Sequence, residues 1–341
     1  MTLMRTGVIE SQGSQPGLPA RGPRANEHAG LKLRANAVVF GGNRSATVKS
    51  LALNTPGSAD VVVETLWSGV STGTERLMWS GDMPAFPGMG YPLVPGYEAV
   101  GRIVQATSTP ERVGELVFVP GARCFEGAHG LFGATASRLV VPADKAHTIQ
   151  MAEPRNGVLL ALAATAYHAV ANGRLPDLIV GYGVLGRLTA RLVIALGGNP
   201  VVWEINAARR DGADDRVIAP GDDARRDYTS ICDMSGDADI IDKILPHAAH
   251  GAEICLAGFY AARPSFSFPL AFRKEMRVRV AAEWRPSDLE AVAALVSEGR
   301  LPLEGLVTHV TPFARAADAY ETAFSDPSCL KMIIDWGSSD V

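Results

Sequence analysis

The chain has 341 residues, of which 47% are hydrophobic and 20% charged, and its formal net charge at pH 7 is −4. This composition is that of an ordinary globular protein of about two domains, and it gives no reason to expect nucleic acid or an anionic membrane as a partner. The cysteines form no C-x-x-C pair, which argues against a disulfide framework and against a cysteine-built zinc site: Cys124, Cys232, Cys255 and Cys329.

No apolar run in the sequence reaches the roughly 18 residues that a membrane-spanning helix requires. The first residues also lack the basic-then-apolar layout of a signal peptide. These features predict a cytoplasmic protein with no transmembrane segment. Residues 1–30 are rich in Gly, Pro, Ser, Arg and Gln without periodicity, which predicts a disordered extension.

Residues 31–156 carry short apolar segments separated by Gly and Pro, a pattern typical of an irregular all-β barrel. We expect this part to form the first domain. Its strands are predicted at residues 37–40, 47–53, 61–68, 99–106, 116–119 and 137–141.

Near residue 157 the pattern changes to alternating strands and helices, which predicts a doubly wound parallel sheet and places the chain in the α/β class. Residues 157–285 would form this Rossmann domain, and residues 286–341 a return segment that completes the first domain. Helices are predicted at residues 157–172, 187–196, 238–245, 287–297 and 314–324. Strands are predicted at residues 179–181, 201–204, 216–218, 230–233, 253–257, 278–282, 306–310 and 331–335.

A glycine-rich turn follows the first strand of the second domain, with Gly181, Gly183 and Gly186 in the spacing Gly-x-Gly-x-x-Gly. In a dinucleotide site the first glycine permits the tight turn, the second lets the backbone approach the pyrophosphate, and the third lets the helix pack on the strand. Val184 and Leu185 continue the turn into a helix whose N-terminus favours phosphate. The alternative is a glycine-rich turn of another parallel α/β protein.

Four more residues are predicted to contact the cofactor. Glu204 ends the next strand, where its carboxylate would accept a hydrogen bond from the ribose 2′-hydroxyl and repel a 2′-phosphate, which favours NAD over NADP. Asp233 and Gly258 end later parallel strands, so both should face the cofactor cleft. Arg209 could stack on adenine or contact phosphate, and the alternative is a solvated surface arginine.

The fingerprint, together with residues 95–101 (PGYEAVG) and 72–75 (TGTE), resembles the medium-chain dehydrogenases/reductases. The resemblance covers residues 31–336. It implies a GroES-like β-barrel domain beside a Rossmann domain, with the substrate in the cleft between them. It also implies that Thr165 and the backbone at Gly258 and Phe259 lie near the nicotinamide.

Four longer strings, at residues 68–75, 79–92, 160–165 and 329–335, are similar to the branch of that superfamily that acts in bacteriochlorophyll a synthesis. This resemblance implies NAD-dependent oxidation of a 3-(1-hydroxyethyl) group to 3-acetyl on a chlorin or bacteriochlorin pigment. The stereochemistry at the reacting carbon and attachment to the periphery of the photosynthetic membrane stay open. A homodimer is an analogy with the superfamily only.

Zinc members of the superfamily hold catalytic zinc with a cysteine and a histidine at the positions of Thr72 and Tyr97. Neither threonine nor neutral tyrosine is a usual zinc ligand, and the stretch of the structural zinc lobe contains only Cys124. His247 and His250 could face one way on a helix, but no third ligand accompanies them. We therefore predict no bound metal.

Without zinc, a general base must take the proton of the substrate hydroxyl. Tyr97 occupies a metal-ligand position, so its hydroxyl could relay the proton or orient the substrate oxygen, and the alternative is a cleft-wall tyrosine. The other candidates are Thr72, Ser71, Glu98 and His168. Glu98 could be structural instead, and His168 could be a packing histidine.

The loop at residues 78–91 is rich in Met and aromatic residues, and its Pro and Gly are expected to prevent regular structure. A large flat pigment needs wide, adaptable apolar walls, which predicts contacts from Trp79, Met83, Phe86 and Met89. The segment from Phe259 to residue 272 would form the opposite wall. The alternative is that these side chains pack in the core or in a dimer interface.

Two other functions stay open on the sequence alone. One is a zinc-free quinone or enoyl reductase of the same superfamily; such enzymes tend to prefer NADPH, against which Glu204 counts. The other is a pigment carrier that has lost turnover together with zinc.

Overall fold

The computed structural model describes residues 32–85, 87–171, 173–213 and 216–337, so the extension predicted at residues 1–30 lies outside the described residues. The first part of the chain is built mainly from short strands. Its elements are β1 (Arg34–Gly42), β2 (Ser45–Ala52), β3 (Asp60–Val70), α1 (Thr74–Ser80), β4 (Ala99–Ala106), β5 (Leu116–Val119), β6 (Arg138–Pro142) and β7 (His147–Thr148). The six strands predicted here are present, and β4 and β5 have the predicted bounds.

The second part alternates strands with helices: α2 (Leu160–Ala171), β8 (Leu178–Val180), α3 (Val184–Ala195), β9 (Val201–Trp203), α4 (Ala207–Arg210), β10 (Val217–Ile218), β11 (Tyr228–Asp233), α5 (Ile240–Ile244), β12 (Ala248–Leu256), α6 (Phe268–Arg273) and β13 (Arg277–Val280). The chain ends with α7 (Pro286–Ser297), β14 (His309–Pro312), α8 (Ala316–Ser325) and β15 (Met332–Asp335). Within the described ranges, no helix is long and apolar enough to cross a membrane.

Six parallel strands form the sheet of the second part, in the order β10-β9-β8-β11-β12-β13. The chain moves from β8 to β9 and β10 on one side and then returns for β11 on the other, so the strand order reverses beside β8. In doubly wound sheets the ligand binds at this reversal, outside the carboxyl ends of the strands. The glycine-rich turn after β8 therefore opens onto the expected binding edge.

The 11-residue strand β3 organises the other large sheet, whose order is β14-β15-β3-β4-β5-β7. β4 pairs along one edge of β3, while β6 and β15 share the other edge, β6 near the start of β3 and β15 near its end. β1 and β2 pair separately as an antiparallel hairpin. The last strands of the chain thus extend a sheet that the first part begins.

The expectation of no regular structure at residues 78–91 is wrong at its start. Met78 to Ser80 form the last turn of α1, and Gly81 ends this helix in the left-handed conformation (φ 87°), which glycine adopts without strain. The strand predicted at residues 306–310 begins only at His309, and Leu306 is buried in the core outside it.

Helix α6 is absent from the sequence prediction. It places Phe268 and Phe272 on the surface, where they are 68% and 70% exposed. These two rings therefore do not form the apolar wall that was expected from residues 259–272.

Helix α2 contacts residues from both parts of the chain. Eight of its twelve residues are buried, so it needs apolar partners around most of its circumference. It packs against α3 and α7, and its core cluster also contains Val100 and Phe118 from the first part. From Leu33 onward the chain forms one compact unit, so the domain boundaries at 156/157 and 285/286 stay predictions.

Gly186 permits the close contact between α3 and the turn before it. A Cβ atom at this position would lie 1.9 Å from the carbonyl oxygen of Gly181, so the backbone would have to move. We expect Gly186→Ala to lower the free energy of unfolding by about 3 kcal/mol, as overpacking does. Gly221→Ala is the matched control, because a Cβ there meets nothing within 4 Å. Urea denaturation measures both, and equal midpoints would contradict the close contact.

Candidate active site

A cavity of about 1830 Å³ lies along the carboxyl edge of the six-stranded sheet. Its walls include the ends of β8, β9, β12 and β13 on one side, and residues 71–74, Tyr97 and residues 120–124 of the first part on the other. Common ligand pockets have roughly 300–1000 Å³. This cavity therefore has room for a dinucleotide and a second large ligand.

The predicted phosphate-binding turn lies on the wall of this cavity with all its residues: Gly181, Gly183, Val184, Leu185 and Gly186. Gly181 has a positive φ of 94°, which a side chain would strain. Gly183 is the N-cap of α3 and has no side chain that could cap the helix. The first N–H groups of α3 are thus left to bind an anionic ligand.

Glu204 lies on the cavity wall, and its carboxylate is held in place from two sides. It accepts hydrogen bonds from the backbone N–H groups of Tyr182 (2.9 Å) and Asn206 (2.8 Å). Arg209, also on the wall, places a guanidinium nitrogen 3.9 Å from the same carboxylate. The orientation of Glu204 is therefore fixed by the fold, not by a ligand.

Thr165 and Gly258 line the cavity, but Asp233 does not. Asp233 is fully buried and accepts hydrogen bonds from the N–H and hydroxyl of Ser235 (3.1 and 2.6 Å) and from the hydroxyl of Tyr260. The expectation that Asp233 faces the cofactor is thus wrong: it ties together the turns after β11 and β12. Ser235 and Tyr260 lie on the cavity wall in its place.

The first part of the chain contributes a cluster of hydroxyl groups to the same cavity wall. Ser71, Thr72, Thr74 and Tyr97 all line it. The Tyr97 hydroxyl donates to Ser71 Oγ at 2.5 Å, and the Tyr97 ring meets Phe132 edge-on, with centroids 5.1 Å apart. Burial raises the pKa of Tyr97 far above its usual range, so the phenol stays neutral.

Glu98, a predicted candidate for the base, is not on the cavity wall. It is fully buried and contacts the ammonium group of Lys331, which also donates to the carbonyl of Val70 at 3.0 Å. Burial raises the pKa of Glu98, and Lys331 opposes this shift. The assignment of Glu98 as a catalytic residue is therefore corrected, since it pairs the residue before β4 with the residue before β15.

His168 also does not line the cavity. Its Nδ1 atom lies 2.8 Å from the carboxylate of Asp288, which in turn accepts the backbone N–H of Arg285 at 2.7 Å and closes the N-terminus of α7. The structure thus favours the packing role for His168 over the catalytic one.

Glu75 is a buried acid that the sequence prediction omits. Its Oε1 accepts the N–H of Ser71 at 3.2 Å, and its Oε2 accepts the hydroxyl of Tyr320 at 2.9 Å. Burial raises the pKa of Glu75 to about 8, and the charge of Glu98 adds to this shift. Its place in the TGTE string was the available sequence signal, but the string does not reveal that the acid is buried.

The residues predicted to contact a pigment divide into two groups. Met83 and Phe259 line the cavity. Trp79 and Met89 do not: they pack against the core formed with α8 and β15, so their assignment as substrate contacts is corrected. Phe86 lies outside the described residues.

Among the aromatic residues that line the cavity and that the sequence prediction omits are Phe132, Trp284 and Phe324. Phe132 has a positive φ of 71°, a strained conformation of the kind that concentrates at functional sites. Trp284 meets the ring of His147 edge-on, with centroids 6.3 Å apart. These residues come from distant parts of the chain, so no local pattern could bring them together.

The described residues contain no group of three His, Cys, Asp or Glu side chains that could hold a metal ion. The positions at which zinc-dependent medium-chain dehydrogenases carry zinc ligands hold Thr72 and Tyr97, whose hydroxyl groups are poor zinc ligands. The donor set of this wall does not fit catalytic zinc.

Known proteins match both the first part and nearly the whole chain. Residues 57–151 match the alcohol dehydrogenase GroES-like domain. The chain is 54% identical over 314 residues to 2-desacetyl-2-hydroxyethyl bacteriochlorophyllide A dehydrogenase of Cereibacter sphaeroides, a match that covers 89% of this chain and 99% of the relative.

Solved structures show the same fold. An alcohol dehydrogenase of Escherichia coli in complex with NADH has a TM-score of 0.76 at 20% identity, over 89% of this chain and 99% of that one. A putative zinc-binding dehydrogenase of Sinorhizobium meliloti bound to NADP has a TM-score of 0.75 at 18% identity, over 89% and 100%. The predicted GroES-like and Rossmann-type α/β fold is confirmed.

The Glu98–Lys331 pair permits a stability prediction. Lys331→Met leaves a buried carboxylate without its cation, which should lower the free energy of unfolding by about 3–5 kcal/mol. The double variant Glu98→Gln/Lys331→Met removes both charges and should recover most of that loss. Thermal or urea unfolding of the single and double variants measures the difference; a double variant less stable than Lys331→Met would contradict the pairing.

Proposed function

The chain belongs to the 2-desacetyl-2-hydroxyethyl bacteriochlorophyllide A dehydrogenases of the medium-chain dehydrogenase/reductase superfamily, and we propose that it oxidises the 3-(1-hydroxyethyl) group of a bacteriochlorophyllide to 3-acetyl with NAD. As a member it is an oxidoreductase that acts on CH–OH groups and uses a nicotinamide cofactor. The observation that carries the proposal is the 54% identity across 99% of the relative.

The preference for NAD rests on Glu204. When bound, NAD supplies the acceptor for the hydride. The turn at Gly181, Gly183 and Gly186 and the N-terminus of α3 are suited to hold its pyrophosphate. The Glu204 carboxylate, oriented by backbone N–H groups, keeps lone pairs for a ribose hydroxyl and would repel a 2′-phosphate.

We infer that the oxidation proceeds without catalytic zinc, because Thr72 and Tyr97 replace the metal ligands. Their hydroxyl groups lie on the same wall and can hold the substrate oxygen by hydrogen bonds. The Tyr97 hydroxyl, which donates its hydrogen to Ser71 Oγ, is the proposed group that orients the substrate oxygen or relays its proton.

The remaining wall suits a large flat acid. Phe132, Phe259 and Trp284 supply aromatic surface, and Arg123 and Lys145 bring positive charge to the same cavity. A bacteriochlorophyllide combines an extended aromatic macrocycle with a free carboxylate. The aromatic side chains would contact the macrocycle, and the cationic side chains would pair with the carboxylate.

The reductase and carrier alternatives differ from this proposal in measurable ways. A quinone or enoyl reductase that prefers NADPH is disfavoured by the carboxylate of Glu204. A carrier would bind pigment and leave both the pigment and NAD unchanged.

One assay separates these functions. Protein, NAD and hydroxyethyl bacteriochlorophyllide are incubated while NADH formation and the pigment absorption shift are followed together. We expect one NADH per pigment converted, and we expect a chelator to leave the rate unchanged and metal analysis to find no stoichiometric zinc. Pigment binding with neither signal changing would sink the dehydrogenase proposal, and loss of activity on removal of zinc would sink its metal-free part.

Substitution of Glu204 tests the cofactor preference. Glu204→Ala should lower the NAD-to-NADP ratio of kcat/KM by at least about tenfold, the scale of one hydrogen bond to a charged group. Glu204→Gln keeps a similar shape but removes the charge, so it separates repulsion of the 2′-phosphate from hydrogen bonding. Steady-state kinetics with both cofactors give the ratios; wild-type ratios in both variants would show that Glu204 does not select the cofactor.

A further inference from the structure

Phe132, on the cavity wall, has a backbone conformation that an aromatic residue rarely adopts. Its φ is 71°, and the next residue, Gly133, is also left-handed with a φ of 68°. In this region the Cβ atom of an L-residue crowds the neighbouring carbonyl oxygen, so the conformation is strained. Glycine would adopt the same φ without strain. The chain therefore keeps a phenyl ring at this position at a cost in stability.

The neighbouring backbone holds Phe132 in this conformation. The carbonyl of Phe132 accepts the N–H of Ala122, and a Cβ atom at Gly121 would lie 2.8 Å from the same oxygen. On the other side, a Cβ atom at Gly133 would lie 2.1 Å from the carbonyl oxygen of Ala122. The two backbone segments thus approach so closely that glycine is required on both of them. This contact fixes the backbone from which the ring of Phe132 projects.

The segment after this turn also binds the backbone that leads to Tyr97. Ala134 donates its N–H to the carbonyl of Gly96 at 2.8 Å, and Thr135 donates its N–H to that of Pro95 at 2.9 Å. A Cβ atom at Gly96 would lie 2.0 Å from the hydroxyl oxygen of Thr135, so these segments are also in close contact. One short segment therefore carries the strained residue and holds the backbone before Tyr97.

The rings of Phe132 and Tyr97 complete this arrangement. They meet edge-on, with centroids 5.1 Å apart and an angle of 65° between their planes, which is a favourable geometry for an aromatic pair. The Tyr97 hydroxyl donates to Ser71 Oγ at 2.5 Å. A single hydrogen bond at the hydroxyl would leave the ring of Tyr97 free to tilt, and the edge of the Phe132 ring restricts that tilt.

We propose that Phe132 is a positioning residue, which holds the ring of Tyr97 so that its hydroxyl is presented to the substrate oxygen. The inference rests on the proposed alcohol oxidation, in which Tyr97 acts on that oxygen. Strained residues persist where the surrounding structure enforces them, and they concentrate at functional sites. A misplacement of about 1 Å can cost on the order of 100-fold in rate. Phe132 thus affects the rate through Tyr97.

Two truncations separate strain from positioning. Phe132→Ala and Phe132→Gly both remove the ring, but only alanine is strained at this φ. The unfolding equilibrium constant of Phe132→Ala should be about fivefold larger than that of Phe132→Gly. In both variants kcat for pigment oxidation should fall equally, by roughly 10- to 100-fold. Equal unfolding constants would contradict the strain, and a kcat that follows stability would overturn the positioning role.

Glu275→Gly is the matched control for the release of strain. Glu275 also has a positive φ, of 47°, but it is exposed and does not line the cavity. The substitution should leave kcat unchanged. A loss of kcat as large as that of Phe132→Gly would show that the rate responds to backbone changes anywhere in the fold, which would overturn the proposal.

A double-mutant cycle tests whether Phe132 acts through Tyr97. Phe132→Leu keeps an apolar side chain and removes the aromatic edge. It should lower kcat roughly 10-fold in the wild type and cause no further loss of kcat in the Tyr97→Phe background, because coupled residues are not additive. Contact of Phe132 with the macrocycle would change KM in both backgrounds. Equal losses of kcat in both backgrounds would overturn the proposal.

Fluorine NMR of the protein labelled with 3-fluorotyrosine gives a measurement without pigment or turnover. The Tyr97 resonance is the one missing in Tyr97→Phe. It should shift or broaden in Phe132→Leu and stay unchanged in Glu275→Gly; an unchanged resonance in Phe132→Leu would overturn the proposal. Failure of the proposed function has a different result: the resonance would respond to Phe132→Leu, but the wild type would not oxidise the pigment.

Discussion

Three ionisable side chains are buried close together in this region: the carboxylates of Glu75 and Glu98 and the ammonium group of Lys331. Two acids share one base, so only one of the two carboxylates has a cationic partner. Lys331 contacts Glu98, which lies 233 positions earlier in the chain. Because a buried charge is costly without a partner, this pair fixes how the return segment docks on the first part. Glu75 lacks such a contact, and its pKa rises to about 8 mainly because burial disfavours its charged form.

Elements with a local signal were predictable from the sequence. The alternation of strands and helices, the glycine spacing and the acid after β9 are local patterns, and the structure has the corresponding sheet, turn and wall residue. Helix α1 was missed because its seven residues are too few for a helical period to be apparent. The start of β14 was predicted too early because Leu306 is apolar. Its side chain is buried in the core, although the residue is not part of a strand.

Site residues were predictable only where their position in the sequence, such as the end of a strand, determines their place in the structure. Asp233 was expected to face the cleft because it ends a parallel strand, but Ser235 and Tyr260 hold its carboxylate inside the core. The contact between Glu75 and Tyr320 joins residues 245 positions apart, and no spacing rule connects them. Trp79 and Met89 have the composition of a pigment wall, yet the same composition serves the core in which they pack. Contacts between residues this far apart in the sequence can be identified only from the three-dimensional structure.

The residues at positions 72 and 97 determine what this wall can offer to a substrate oxygen. A metal cation held by ligands at positions 72 and 97 would stabilise nearby carboxylates in their charged form and lower their pKa values. Thr72 and Tyr97 bring hydroxyl groups and no positive charge, and burial raises the pKa of Glu75 to about 8. The same hydroxyl group of Tyr97 also connects the cavity to Ser71. Under the proposed metal-free oxidation, a tyrosine at the position of a metal ligand thus offers the substrate oxygen a hydroxyl group in place of a cation.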